Sequence, residues 1–295
     1  KEFSVSDLKS KKFIDIGKKH LFKRLNGESN DISGDAAFKN TNSIDRDKIL
    51  KYFNWPKNKK IVTVYTHNWA DYPHSSSVKN YVDFKEWTDI TIEIARQNTN
   101  VLWLFKEHPI IYRYNYKKEN TISYIINQIN DYHINVVPNG WDGKAVMDST
   151  DFAITVNGSI AFEFSGLGKP ILIADYGLYG EYGFGLIANS ANEYKNLLKS
   201  SWWEKIDLEK SRLNALKFIG MYQCLPSWQK TLIYADDSKG DLIYHNLERF
   251  LIKNKVSIKN EIYCLRKWYK SKNEKYHIFK MLNSEKFMLG NIIND

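Results

Sequence analysis

Between residues 61 and 173 the chain alternates short unbroken apolar runs with longer stretches whose apolar residues recur every three or four positions. Residues 61–65 read as a strand, and residues 101–105 are apolar at consecutive positions, the pattern of a strand covered on both faces. Between them, Phe84, Trp87, Ile90, Thr91 and Ile94 mark one face of a helix. A second helix is expected over residues 122–129, a strand over 134–137 and a short helix over 144–147. In residues 151–174 an apolar, β-branched run ends in Asn157-Gly158-Ser159 and a short apolar helix comes next. Gly168 stops that helix, and a further apolar run begins after Pro170. This order is strand, tight loop, helix, strand. The whole pattern predicts an α/β fold, a doubly wound parallel sheet of five strands ending near residue 198.

Outside this region the pattern weakens. Residues 1–54 are rich in Lys, Asn and Ser, with Asn26-Gly27 and Ser33-Gly34 as loop punctuation and one short helix over 45–53. They are expected to pack onto the domain C-terminal to them or to be the remnant of an acceptor domain. Residues 55–200 then form a Rossmann-like domain, and residues 201–295 a helical C-terminal region packing on it, with helices over 208–222, 227–235 and 241–252. Residues 258–288 are basic and aromatic, including Tyr263, Arg266, Lys267, Trp268, Tyr269 and Lys270. That stretch suits an acidic membrane surface, and equally an ordinary terminal helix packed through Tyr and Trp.

Composition narrows the class. Hydrophobic residues at 43% supply a core, yet no run of about 18 apolar residues spans a membrane. Lys and Arg outnumber Asp and Glu by 43 to 34, a net charge of +9 that attracts anions such as nucleotides, phosphorylated substrates, acidic lipid or nucleic acid. The two cysteines, Cys224 and Cys264, lack metal-ligand spacing and read as reduced thiols of a cytoplasmic protein. No P-loop, dinucleotide fingerprint, nucleophile elbow or His-Glu-x-x-His helix occurs. No metal is expected, and no nucleic-acid partner, since no base-stacking motif is present.

Ligands of open parallel sheets gather at the carboxyl ends of the strands, so the residues just after each strand are the candidates. After the first strand comes a long polar loop with His67, Asp71, His74 and Ser75; after the second, Lys106-Glu107-His108-Pro109; after the fourth, Asn157-Gly158-Ser159. Lys106 and His108 can neutralise phosphate, Gly158 permits a tight turn, and the amides of Ser159 and Ile160 can receive an anion. Glu163, flanked by Phe162 and Phe164, needs a partner. A ribose diol would satisfy it, and so would a basic side chain or water. Together these groups describe a nucleotide-bearing ligand better than a bare metal or a peptide.

The strand ending in Lys106-Glu107-His108-Pro109, the string Thr155-Val156-Asn157-Gly158-Ser159 with Glu163 and Gly168-Lys169-Pro170, and the Tyr- and Gly-rich loop over 176–184 resemble a known family. It is the C-terminal half of GT-B glycosyltransferases of bacterial surface polysaccharide synthesis, and within them the capsule group that includes Kdo transferases. The similarity covers residues 55–235. It implies a nucleotide-sugar donor, CMP-linked, as substrate with no cofactor, and a glycan or glycolipid acceptor, at the cytoplasmic side and peripherally on the inner membrane face. By the same resemblance His108 and Lys106 contact the donor phosphate, Asn157, Gly158 and Ser159 cradle phosphate or base, and Glu163 holds the ribose. Asp71 with His67 would act on the sugar or acceptor side as general base or nucleophile, and His74, Ser75 and Tyr179 would belong to a substrate loop. Teichoic-acid glycerophosphotransferases share the His-Pro element and also use cytidine nucleotides. They favour an Asp-Tyr-Ser-Ser-like string where this chain has Asn157-Gly158-Ser159, so a CDP-polyol phosphotransferase is the second reading. A basic membrane- or nucleic-acid-binding protein is the third. GT-B enzymes face two Rossmann-like domains across a cleft, so residues 1–54 imply either an acceptor domain cut away or a single-domain relative.

Overall fold

In the computed structural model, six strands form one all-parallel sheet: β1 (Lys60–Tyr65), β2 (Val101–Lys106), β3 (Ile134–Val136), β4 (Phe152–Thr155), β5 (Ile171–Ile173) and β6 (Leu186–Ile187). Their order is β3-β2-β1-β4-β5-β6. The structure describes residues 11–28, 38, 43–71, 78–108, 111, 117–224 and 270. The expected five strands are thus six. β6 is only Leu186–Ile187, two partly buried residues, too short to leave a periodic signature.

Eight helices accompany the sheet among the described residues: α1 (Lys11–Leu25), α2 (Arg46–Tyr52), α3 (Phe84–Gln97), α4 (Ile122–Ile129), α5 (Gly143–Ser149), α6 (Ile160–Gly166), α7 (Ala191–Leu198) and α8 (Leu208–Cys224). Alternation along the strands sends side chains to opposite faces. Val62, Val64, Trp103, Phe105, Ile154 and Leu172 pack with α3, α4 and α7. Ile61, Leu102, Leu104, Ala153, Ile171 and Ile173 pack against α1, α2, α5, α6 and α8. The sheet is therefore wound on both faces, as the unbroken apolar strands require.

Local chemistry fixes the helix ends. Asp45, Asp83, Thr121, Asp142 and Ser190 each accept the backbone amide three residues on, at 2.7–3.2 Å. α6 stops where Gly168, at φ +76°, lets its amide bond Ser165 while the Lys169 amide bonds Phe164, a Schellman closure.

α1 lies where the sequence suggests polar loop. Its apolar residues Ile14, Leu21 and Leu25 form a sparse stripe interrupted by Gly17. Gly17 is there for proximity: a Cβ would overlap the Leu216 carbonyl oxygen of α8, and one on Gly220 would overlap that of Phe13. Tertiary packing rather than propensity makes this helix.

The chain divides into two compact units, residues 10–220 and a second of residues 1–9 with 221–295. Of the second, residues 221–224 and 270 are described. The helices expected over 227–235 and 241–252 lie outside the described residues, as does the basic aromatic stretch apart from Lys270. No described helix is long and apolar enough to cross a membrane.

Candidate functional site

β1 and β4 are neighbours in the sheet, and the chain leaves them toward opposite faces, through α3 and α6 respectively. Such a switch point opens a crevice at the carboxyl ends of the strands. The pairing of β1 with β2 ends at Tyr65 opposite Lys106, and that of β1 with β4 at Val64 opposite Ile154. Continuing both registers sets His67 between His108 and Asn157. The contacts agree: the Asn157 amide donates to His67 Nε2 at 3.3 Å, and the His67 and His108 rings lie 6.3 Å apart and nearly parallel.

His67 is partly buried and stacked on Phe84, with ring centroids 4.4 Å apart. Burial, and secondarily His108, push its pKa down to about 3, so the ring is neutral. His108 is pushed down by burial too, with Lys106 reinforcing and Asp71 opposing. Burial likewise lowers the Lys106 ammonium against the opposing charge of Asp142. Between them Glu107 turns away and anchors α4, accepting from the Ile122 amide at 2.8 Å and the Ser123 hydroxyl at 3.1 Å.

Asp71 stands exposed at the rim. Its carboxylate accepts from Asn68 Nδ2 at 2.9 Å and its amide donates to the Asn68 carbonyl, which fixes the turn. His74 and Ser75 of the same loop lie outside the described residues. The loop returns at Lys79 and Asn80, whose amides both donate to Asp175 Oδ2, while Gly177 donates to Asp175 Oδ1. Asp175 is 1% exposed and ties the β1 loop to the end of β5.

In the loop after β4, the Asn157 and Gly158 amides are both spoken for, by His67 and by Thr155 Oγ1 at 3.1 Å. A Cβ on Gly158 would sit 2.9 Å from Thr155 Oγ1 and 3.5 Å from His67 Nε2, so space, not backbone angle, favours glycine here. Asn157 is held from below: its carbonyl accepts from the Tyr179 hydroxyl and its Oδ1 from the Leu178 amide, each at 3.5 Å. Tyr179, expected in a substrate loop, is buried with its ring against Phe162, Phe184 and Phe218.

Glu163 has a basic partner. Arg24 Nε, from α1, donates to Glu163 Oε1 at 2.6 Å, and Nη2 of the same guanidinium reaches Ser159 Oγ at 3.3 Å. Arg24 is 4% and Glu163 2% exposed. The carboxylate expected to hold a ribose is already paired with a guanidinium inside the protein. Thus His67, Asp71, Lys106, His108, Asn157, Gly158 and Ser159 gather at one edge, while Glu163 and Tyr179 support the loop from the interior.

Sequence reasoning misses Arg24 and Asp175. Asp175 is findable by the strand-end rule applied to β5, since it directly succeeds Ala174. Arg24 falls among the apolar positions of α1, between Leu21 and Leu25, in a segment whose polar composition reads as loop. Among the described residues no group of three or more His, Cys, Asp or Glu side chains is arranged to hold a metal ion.

A family model described as CDP-Glycerol:Poly(glycerophosphate) glycerophosphotransferase matches residues 34–198. No curated protein matches the chain. Among solved structures it is similar to the wall teichoic acid polymerase TagF, at 17% identity over 70% of this chain and 46% of that one, TM-score 0.40. It is also similar to KpsC, a beta Kdo 2,4 transferase of Thermosulfurimonas dismutans, at 12% identity over 71% and 55%, TM-score 0.44. A glycosyltransferase from Rickettsia africae matches at 14% identity over 69% and 57%, TM-score 0.39. The chain spans about half the length of each of these proteins.

Proposed function

Because the chain belongs to the CDP-glycerol:poly(glycerophosphate) glycerophosphotransferase family, whose model covers more than half of it, we propose that it is the donor-binding part of a bacterial surface-polymer transferase. Its donor is a cytidine nucleotide carrying a polyol phosphate. The observation that supports this reading is the His67–Asn157 hydrogen bond across the switch point, which joins the loops after β1 and β4, with the His108 ring of the β2 loop 6.3 Å from that of His67.

In this reading Lys106 pairs with the donor's phosphates and His108 donates a hydrogen bond to them, beside the Asn157–Ser159 loop. An acceptor hydroxyl attacks the outer phosphorus of the diphosphate. The bond from that phosphorus to the bridging oxygen breaks, and CMP leaves with the electron pair. The acceptor's proton passes to a base at the rim, for which Asp71 is the candidate. The charge that builds on the leaving phosphate is what a lysine and an imidazole in a partly desolvated site stabilise best. Arg24, through Glu163 and Ser159, keeps the loop in shape from behind. The acceptor is a glycan or glycolipid, and the basic aromatic segment over residues 258–288 would bring the protein to its membrane surface.

A CMP-linked acidic sugar is the second reading, favoured by Asn157-Gly158-Ser159 standing where teichoic-acid enzymes favour an Asp-Tyr-Ser-Ser-like string. Incubating the chain with CDP-glycerol or with a CMP-linked acidic sugar and measuring released CMP separates the two. Release from CDP-glycerol supports the first, release from the sugar nucleotide the second, and release from neither counts against both.

A further inference from the structure

We propose that His67 is a positioning residue, which holds the β4–α6 loop in its ligand-ready shape, and not a carrier of the acceptor's proton. The inference rests on the transferase reading for its consequence, and on four features of the imidazole for its substance.

First, a backbone amide only donates, so Nε2 is the acceptor of the Asn157 bond and its lone pair is occupied. The neutral ring then carries its hydrogen on Nδ1. A general base must offer a lone pair to the substrate, and this one is turned into the protein. Second, the ring cannot easily swing outward. It lies flat on Phe84, 19° from parallel, with Trp87 edge-on at 6.4 Å. Third, protonation is opposed from two sides, by burial and by the neighbouring His108. Taking up a proton at Nε2 would also break the bond to Asn157.

Fourth, the loop is built around the ring. Gly158 leaves room for Nε2, Thr155 Oγ1 takes the next amide, and Tyr179 and Leu178 hold Asn157 from the other side. The first two amides of the loop are turned inward, and the Ser159 hydroxyl is held from behind by Arg24. His67 is thus a staple between β1 and β4 at the switch point.

Two substitutions divide the staple from the base. His67→Gln keeps an acceptor oxygen close to the place of Nε2. His67→Phe keeps a flat ring on Phe84 and removes the acceptor. The readouts are CDP affinity, kcat and KM for the donor, and hydrogen exchange of the Asn157 amide, with a melting curve to check folding. The Gln variant should stay within about threefold of the parent in affinity, kcat and KM. The Phe variant should lose about 5- to 10-fold in CDP affinity, the worth of one ordinary hydrogen bond, with KM rising in step and the Asn157 amide exchanging faster.

A Gln variant whose kcat falls by a hundredfold or more at unchanged KM would overturn the proposal and make His67 the proton carrier. So would a Phe variant whose Asn157 amide stays fully protected. If the Phe variant fails to fold, the Gln variant decides through kcat and KM. If the parent binds no cytidine nucleotide, the transferase reading fails, and the exchange of Asn157 still decides the role of His67.

Discussion

Arg24 Nε and Glu163 Oε1 meet at 2.6 Å with both side chains almost wholly buried, joining α1 to α6, the helix just after the candidate ligand loop. Two charges removed from water are tolerable only together, because either one alone would be an uncompensated ion in the interior. Arg24→Met should therefore destabilise residues 10–220 by about 3–5 kcal/mol. Pairing it with Glu163→Leu should recover most of that loss. Urea unfolding of the single and double variants checks this; a single variant within about 1 kcal/mol of the parent would contradict it.

Gly17 and Gly220 allow α1 and α8 to touch backbone to side. Alanine at Gly17 would drive its methyl group into the Leu216 carbonyl, so α1 must move away and take Arg24 with it. Gly17→Ala should cost about 1–3 kcal/mol, the usual range for overpacking, and expose the α6 amides to hydrogen exchange.

Asp175 gathers three backbone amides, from Lys79, Asn80 and Gly177. Asp175→Ala removes both acceptor oxygens and with them all three hydrogen bonds, whereas Asp175→Asn keeps one oxygen. The alanine variant should lose about 2–4 kcal/mol, the asparagine variant less, and limited proteolysis should cut the β1–α3 loop sooner in the former. Equal stability of the two variants would contradict the clamp.

The two histidines set a pH dependence. The unfolded chain protonates His67 near its ordinary value of 6.5, while the folded protein holds it down at about 3 and pushes His108 down too. Between those limits the unfolded state binds more protons, so stability is full above about pH 6.5 and is lost as pH falls toward 3. In His67→Gln the stability lost between about pH 6.5 and 4 should be smaller than in the parent, as read from denaturant midpoints across pH. An identical loss would show that His67 titrates normally.

The sheet is legible because strands covered on both faces are mostly apolar along their length, which makes 61–65, 101–105 and 152–156 conspicuous. The helix of residues 122–129 is legible for the same kind of reason, being capped by Thr121 and ended by Asn130 in a left-handed conformation. α1 is not legible, because its identity as a helix depends on Gly17 and Gly220 meeting across space. The strand-end residues His67, Lys106, His108 and Asn157 can be named from position alone, since parallel strands bring their carboxyl ends to one edge. Their division of labour cannot. That Nε2 of His67 accepts from Asn157, and that Glu163 is matched by Arg24 from 139 residues away in sequence, are facts of the third dimension.

If His67, His108 and the Asn157–Ser159 loop share one cup shaped for a cytidine nucleotide, that cup must discriminate among bases and depend on His108. The decisive experiment titrates CMP, CDP, UDP and ADP against the protein and against His108→Ala. A cytidine nucleotide should bind best, and the substitution should weaken it by about 1.5–3 kcal/mol, the worth of a hydrogen bond to a charged group. Equal affinity for all four nucleotides, or a His108→Ala variant that binds as the parent does, would refute the shared cup.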